Sequence, residues 1–213
     1  MDKVVLAIIV LNVIISFKGF DSPQFFDRYK FQIGPIVNKD WIRMVSSSFL
    51  HVDYWHLIFN MLTLYFFADS VINYFDIYKF IVIYLISILG GSYLSLYFHK
   101  KDYFYSAVGA SGAVVGVLFS SILLYPFNSL YLMFIPIPIP AIVVGVAYLA
   151  YSVFGMKNQW GNIGHAAHLG GAATGLIISV ILDPSLLFSR SIILLFLAIP
   201  IVLLFLYRDK INL

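Results

Sequence analysis

Polar and apolar positions divide this chain into long apolar runs separated by brief polar stretches. The runs do not alternate apolar with polar residues, as the strands of a membrane β-barrel would. Each approaches the ~20 residues that carry a helix across a ~30 Å hydrocarbon core. In lipid, only helices and closed barrels satisfy their backbone groups, so the runs are predicted as helices. Seven are expected: Val4–Phe17, Trp55–Tyr74, Phe80–Phe98, Ala107–Tyr125, Ile139–Phe154, Ile163–Leu182 and Ile192–Tyr207. The first is short, which implies tilt or extension by its flanks. No small-x-small cleavage pattern follows it, so it is predicted as a retained span rather than a signal peptide. The connection from Lys18 to about Tyr54 is long, and it mixes aromatics with Gly34-Pro35 and Asp40-Trp41-Ile42-Arg43. That mixture predicts a folded element at the membrane interface, where aromatic residues are enriched. Pro136, Pro138 and Pro140 alternate ahead of the fifth span and predict an extended lead-in. No internal repeat supports an inverted-repeat transporter.

Composition strengthens the membrane assignment. Of 213 residues, 62% are apolar and 11% charged, against about 25% charged in a soluble domain. The net charge of +3 is small and its lysines and arginines sit at the ends of apolar runs. This argues for membrane flanks and against nucleic acid as a partner. There is no cysteine and no glutamate; all ten acidic residues are Asp. Disulfides, thiol catalysis and the His-Glu-x-x-His zinc motif are thereby excluded, and neither a metal nor a cofactor is expected.

Polar side chains at membrane depth are costly and become functional candidates. His56 and Asn60 lie one turn apart on one helix face. They suit either an interhelical hydrogen-bond pair or a functional site. Ser111 follows Gly109-Ala110 and precedes Gly112 at the start of the fourth span. It suits a helix N-cap, or a nucleophile whose own N–H helps to hold an oxyanion. His168 stands in His165-Ala166-Ala167-His168-Leu169-Gly170-Gly171. Gly171, Gly175 and Ser179 form a small-residue stripe, matched on the fourth span by Gly112, Gly116 and Ser120. If those stripes meet, His168 approaches Ser111.

In order and combination, these motifs resemble the rhomboid family of intramembrane serine proteases. They are His-x3-Asn on the second span, Gly109-Ala110-Ser111-Gly112 opening the fourth, and Ala167-His168-Leu169-Gly170-Gly171 on the sixth. Phe49-Leu50-His51 before them is similar to the family's approach to its second helix. The resemblance covers about Trp41 to Ile181. It implies an all-α, polytopic bundle: a six-helix core over residues 1–182, with residues 18–54 as its interface loop, and one further helix in 183–213. This is the bacterial six-plus-one arrangement, which together with an Ile-, Tyr-, Lys- and Asn-rich composition suggests a bacterial cell membrane. The resemblance implies a serine endopeptidase acting on single-span transmembrane proteins within the lipid bilayer. Ser111 would be its nucleophile and His168 its base, with His56, Asn60 and the Ser111 N–H as the oxyanion hole. It also makes the fifth span the mobile helix that admits substrate. Its orientation puts the N-terminus in the cytoplasm, whereas the distribution of basic residues leans the other way. Three positions depart from the family pattern: Ile42 precedes Arg43 where Trp is usual, Asn73 stands where an acid commonly ends the second helix, and Val115 replaces an aromatic that packs on the catalytic imidazole. Val115 leads to the expectation that His168 is less well held unless another of the chain's aromatics fills the gap, and that Val115→Tyr or Val115→Phe, if accommodated, speeds Ser111. Two other functions suit the same residues: a catalytically inactive rhomboid-like binder of membrane proteins, and a polytopic transporter using His56, His165 and His168.

Overall fold

The computed structural model describes residues 2–132, 135–158, 160 and 163–206. The first predicted span is helix α1 (Lys3–Asp21). The loop after it folds into α2 (Pro23–Tyr29), a two-residue strand β1 (Phe31–Gln32), α3 (Ile33–Val37), α4 (Arg43–Ser46) and a 3-10 turn (Ser47–Phe49). Helices α5 (Tyr54–Phe75) and α6 (Ile77–His99) follow, then strand β2 (Ser106–Ala107) and helix α7 (Ser111–Leu124). Strands β3 (Ser129–Leu132) and β4 (Ile135–Pro140) lead to α8 (Ala141–Asn158), α9 (His165–Leu182), α10 (Leu186–Ser189) and α11 (Ser191–Leu206). Among the described residues five helices, α1, α5, α6, α8 and α9, are long and apolar enough to cross a membrane; α7 and α11 are shorter apolar helices. The protein is thus a polytopic helical bundle. The expected end of the last span, Tyr207, lies outside the described residues.

Three differences from expectation have clear physical reasons. α1 runs to Asp21, because nothing breaks it before Ser22, whose hydroxyl caps α2 ahead of Pro23 at its first turn. The extended lead-in of alternating prolines is present as β4, but it is also one arm of a hairpin, with Ser129 opposite Pro140 and Leu130 opposite Ile139. α7 begins at Ser111 rather than Ala107. Residues 106–107 pair with β1, and Gly109 adopts φ 128°. At 1.5 Å per residue its 14 residues span only about 21 Å. A helix that short survives because it is enclosed: every residue but Ser111 and Leu118 is buried. Its apolar surface on all sides is the pattern of an internal helix.

Small residues fix the neighbours of α7. A Cβ added to Gly171 would lie 2.0 Å from the carbonyl oxygen of Gly112, and one added to Gly175 would lie 2.2 Å from that of Gly116. The predicted stripes therefore meet backbone to backbone. Ser120 donates to Gly116 O (2.9 Å) and Gly175 O (3.1 Å), and Ser179 donates to Gly175 O (2.8 Å). Residue numbers rise together along this contact, so α7 and α9 are parallel and their N-termini share one end. α6 packs antiparallel on the same pair, with Gly90 against Gly170, Gly91 against Ala167 and Gly112, and Ser87 against Gly116.

The long first loop grips the segment leading into α7. β1 pairs with β2 through Phe31 and Ala107. Gly109 N–H donates to Ser47 O (3.0 Å), and Ala110 N–H donates to His51 Nε2 (3.3 Å). The other His51 nitrogen, Nδ1, is 2.8 Å from Ser16 Oγ on α1, and that hydroxyl lies 3.0 Å from Phe49 O. Since Nε2 accepts, Nδ1 carries the proton and donates to Ser16, which donates to Phe49. Arg43 braces the loop from inside. It is buried, donates to Asp27 O (2.8 Å) and Lys30 O (3.0 Å), and pairs with Asp40 at 2.9 Å. The hydrogen bond from Arg43 holds the Asp40 carboxyl below its usual range, with Arg28 adding to the effect. Arg43 thus anchors the loop although Ile42 stands where Trp is usual in the resemblance; Trp41 is exposed.

Two outcomes follow from this packing. Gly175→Val should lower the thermal melting point in detergent sharply. Overpacking typically costs about 1–3 kcal/mol, and here the clash is with helix backbone, which cannot rotate away. Burial, then the neighbouring His56, push the His51 imidazole down to about 3 from an ordinary 6.5. Above pH 6.5 neither folded nor unfolded chain protonates this group. Between 6.5 and about 3 the unfolded chain binds a proton that the folded one rejects, so stability falls as pH falls. A pH series of melting curves should therefore be flatter below pH 6.5 for His51→Gln than for the parent. Equal slopes would show that His51 does not carry this acid sensitivity.

Candidate active site

Ser111 is the first helical residue of α7, and the N-cap is Ala110, which offers no side-chain cap. Ser111 is therefore not the N-cap that its sequence context also allowed. Its backbone N–H precedes the intrahelical ladder and is free of helical bonding. The tight entry depends on Gly109. A Cβ there would lie 2.6 Å from His56 Cε1 and 2.8 Å from Nε2, and φ 128° disfavours any other residue. The His56 ring is thus packed directly on the turn that delivers Ser111. His56 lies in the first turn of α5, whose N-cap Asp53 accepts from the His56 N–H at 2.7 Å.

His168 lies in the first turn of α9. The parallel contact of α7 and α9 brings it to the level of Ser111, with Ala167 O against Gly112. First turns of three helices, α5, α7 and α9, so converge at one end of the bundle and carry His56, Ser111 and His168. Helix N-termini bear partial positive charge and unsatisfied N–H groups. Asn60, one turn below His56, is buried, and its amide donates to His56 O at 3.0 Å, which leaves a second amide hydrogen for another partner. A pocket opens beside Ser111, lined also by Ser47, Ser48, Ser92 and Ser95. Its hydroxyls make it hospitable to water.

The hydrogen bond that His168 makes is to a residue with no sequence signal. Tyr148 Oη on α8 lies 2.9 Å from His168 Nδ1. The two rings are stacked, with centroids 5.9 Å apart and planes at 29°. Tyr148 also packs on Phe119 of α7, at 6.0 Å between centroids. The gap left by Val115 is filled by another aromatic of the chain: Val115 is buried in the core, and the aromatic surface at His168 comes from Tyr148 on α8. Val115→Tyr would overpack that core and offers no gain at His168. Among the described residues no hydrogen bond joins Ser111 and His168; catalytic contacts of this kind are often long before substrate binds. His165 is turned to Trp160 O (3.2 Å) and to the face of Tyr151, away from any cluster with His56.

Known proteins are similar to this chain in sequence. The family model described as Rhomboid domain matches residues 38–185. Over 149 residues the chain is 34% identical to Rhomboid protein 1, mitochondrial, of Saccharomyces cerevisiae, covering 67% of this chain and 43% of that protein. It is 29% identical over 191 residues to RHOMBOID-like protein 12, mitochondrial, of Arabidopsis thaliana, covering 82% of this chain and 56% of that one. It is also 29% identical over 163 residues to Rhomboid protease AarA of Providencia stuartii, covering 66% and 56%. The chain thus spans about half the length of these curated relatives. With the family model matched from the first loop through α9 and small-residue packing holding its motifs at one end of a membrane bundle, the chain belongs to the rhomboid family.

Proposed function

We propose that this protein is an intramembrane serine endopeptidase that cleaves transmembrane segments of single-span membrane proteins through a dyad of Ser111 and His168. The observation that carries this reading is the convergence of three helix first turns bearing His56, Ser111 and His168. Ser111 Oγ attacks the scissile carbonyl and His168 Nε2 takes its proton, later giving it to the leaving amine. The developing oxyanion is held by the Ser111 N–H, His56 and Asn60. Aligned N-termini favour negative charge there. Water drawn through the serine-lined pocket hydrolyses the acyl-enzyme. The dyad does without an Asp, since the imidazole is oriented by stacking and by a hydrogen bond to a tyrosine on another helix.

The catalytic core is assigned to residues 1–182, with 183–213 an added helix. The lipid bilayer is the working medium, and substrates reach the site from within it. The protein is an integral multi-pass membrane protein; the relatives named above include two mitochondrial proteins, which does not fit the bacterial cell membrane suggested by composition and helix arrangement. An inactive rhomboid-like binder of membrane proteins is the second reading.

Ser111→Ala and His168→Ala should each abolish cleavage of a transmembrane substrate in liposomes. Turnover above background in either pure variant removes the dyad. His56→Ala and Asn60→Ala should lower turnover by roughly 10²–10³ while Ser111 still reacts with a fluorophosphonate probe. Wild-type rates in folded preparations of both would remove the oxyanion role. Isocoumarins should block the activity and chelators should not. Failure of the parent to cut or label under all these conditions would favour the binder.

A further inference from the structure

Tyr148 lies on neither helix of the dyad. Its hydroxyl meets His168 Nδ1 at 2.9 Å and its ring stacks on the imidazole, while Phe119 supports it from α7. We propose that Tyr148 is the positioning residue of the proton relay, standing where a carboxylate would complete a triad: its Oη accepts from His168 Nδ1–H and thereby keeps Nε2 free to serve as base toward Ser111. This rests on the dyad reading above.

The direction of the hydrogen bond follows from proton counting. A tyrosine hydroxyl can donate or accept, and a neutral imidazole has one N–H. If the hydroxyl donated to Nδ1, the imidazole proton would sit on Nε2, and His168 could only donate to Ser111. When His168 takes the Ser111 proton, both ring nitrogens carry hydrogen, and the tyrosine can then only accept. The bond is therefore made in the accepting direction at the moment charge develops on the ring. The proton moves from Ser111 Oγ to Nε2 and on to the leaving amine. The Nδ1 proton stays in place throughout, so Tyr148 orients and solvates the imidazolium without exchanging a proton.

Sequence and packing make this role specific to α8. Val115, one turn after Ser111, is in the core and contributes no aromatic surface. His165, the other polar ring near His168, meets it edge-on at 6.3 Å and has Nε2 engaged at Trp160 O. Tyr148 is the residue that combines ring stacking with a hydrogen bond to His168 among the described residues.

The test uses the full chain in detergent micelles, with Tyr148→Phe, which keeps the ring and deletes the acceptor. The rate of Ser111 labelling by a fluorophosphonate should fall about tenfold, the loss expected for one hydrogen bond. With a transmembrane substrate, kcat should fall and KM stay near the parent value, and the melting temperature should hold. Nitrogen-15 spectra of histidine-labelled protein, assigned with His168→Gln, give a readout independent of activity. They should show the proton on Nδ1 of His168 in the parent and a shift toward the Nε2-protonated form in Tyr148→Phe. A parent imidazole protonated on Nε2, a spectrum unchanged in Tyr148→Phe, or labelling at the parent rate overturns the proposal. A parent that fails to label at Ser111 overturns the dyad itself, and the tautomer in the spectrum still decides the role of Tyr148.

Discussion

The backbone-to-backbone approach of α7 and α9 is the constraint on which the rest of this bundle depends. In lipid the hydrophobic effect does not drive one apolar helix onto another, so close packing and interhelical hydrogen bonds must do so. Gly171 against Gly112 O and Gly175 against Gly116 O leave no room for a side chain. Ser120 and Ser179 then direct their hydroxyls onto carbonyls of the same contact. Gly90 and Gly91 of α6 close the third side against Gly170 and Ala167. This enclosure allows α7 to be shorter than a membrane is thick. Its parallel register with α9 also sets Ser111 and His168 level, because each stands in the first turn of its own helix.

Helix packing places the candidate chemistry, and the long first loop aims it. Residues 106–110 are held by a strand pair, by Ser47 O and by His51. His51 is held in turn by Ser16 of α1, so a helix remote from Ser111 is linked to the turn that presents it. Arg43 keeps the loop in shape through two backbone carbonyls and Asp40. A buried guanidinium tolerates that position only because its donors are engaged. The departure at Ile42 therefore leaves the anchoring arginine in place.

The change at Val115 shows how one local departure is absorbed by the fold. An aromatic one turn after Ser111 would hold the imidazole from the nucleophile's own helix. Here the ring arrives from α8, which packs on both α7 and α9. The imidazole is stacked on this ring and also meets its hydroxyl, which valine could never supply. Stacking and hydrogen bonding then come from one side chain on α8.

Apolar runs of the right length, with polar residues at their ends, were enough for the sequence by itself to determine a polytopic helical membrane protein. Three isolated polar motifs and two small-residue stripes pointed to Ser111, His168, His56 and Asn60, because such residues are expensive in lipid and small residues mark close helix contacts. Pairing of the Gly112 and Gly171 stripes was legible for the same reason. Start of α7 at Ser111 was not, since it depends on strand pairing with Phe31, some eighty positions earlier, and on the fit of His56 over Gly109. Gly90-Gly91 was not distinguished in the sequence, and its close contacts with Gly170 and Ala167 emerged only in the packed bundle. Tyr148 carried none: it is one of 15 tyrosines in an apolar chain, and nothing local distinguishes it. Its contact with His168 joins residues twenty apart on different helices, and only tertiary structure decides which ring of many meets which imidazole. Periodicity and polarity are properties of neighbours in sequence, whereas hydrogen-bond partners and tautomers are set by neighbours in space.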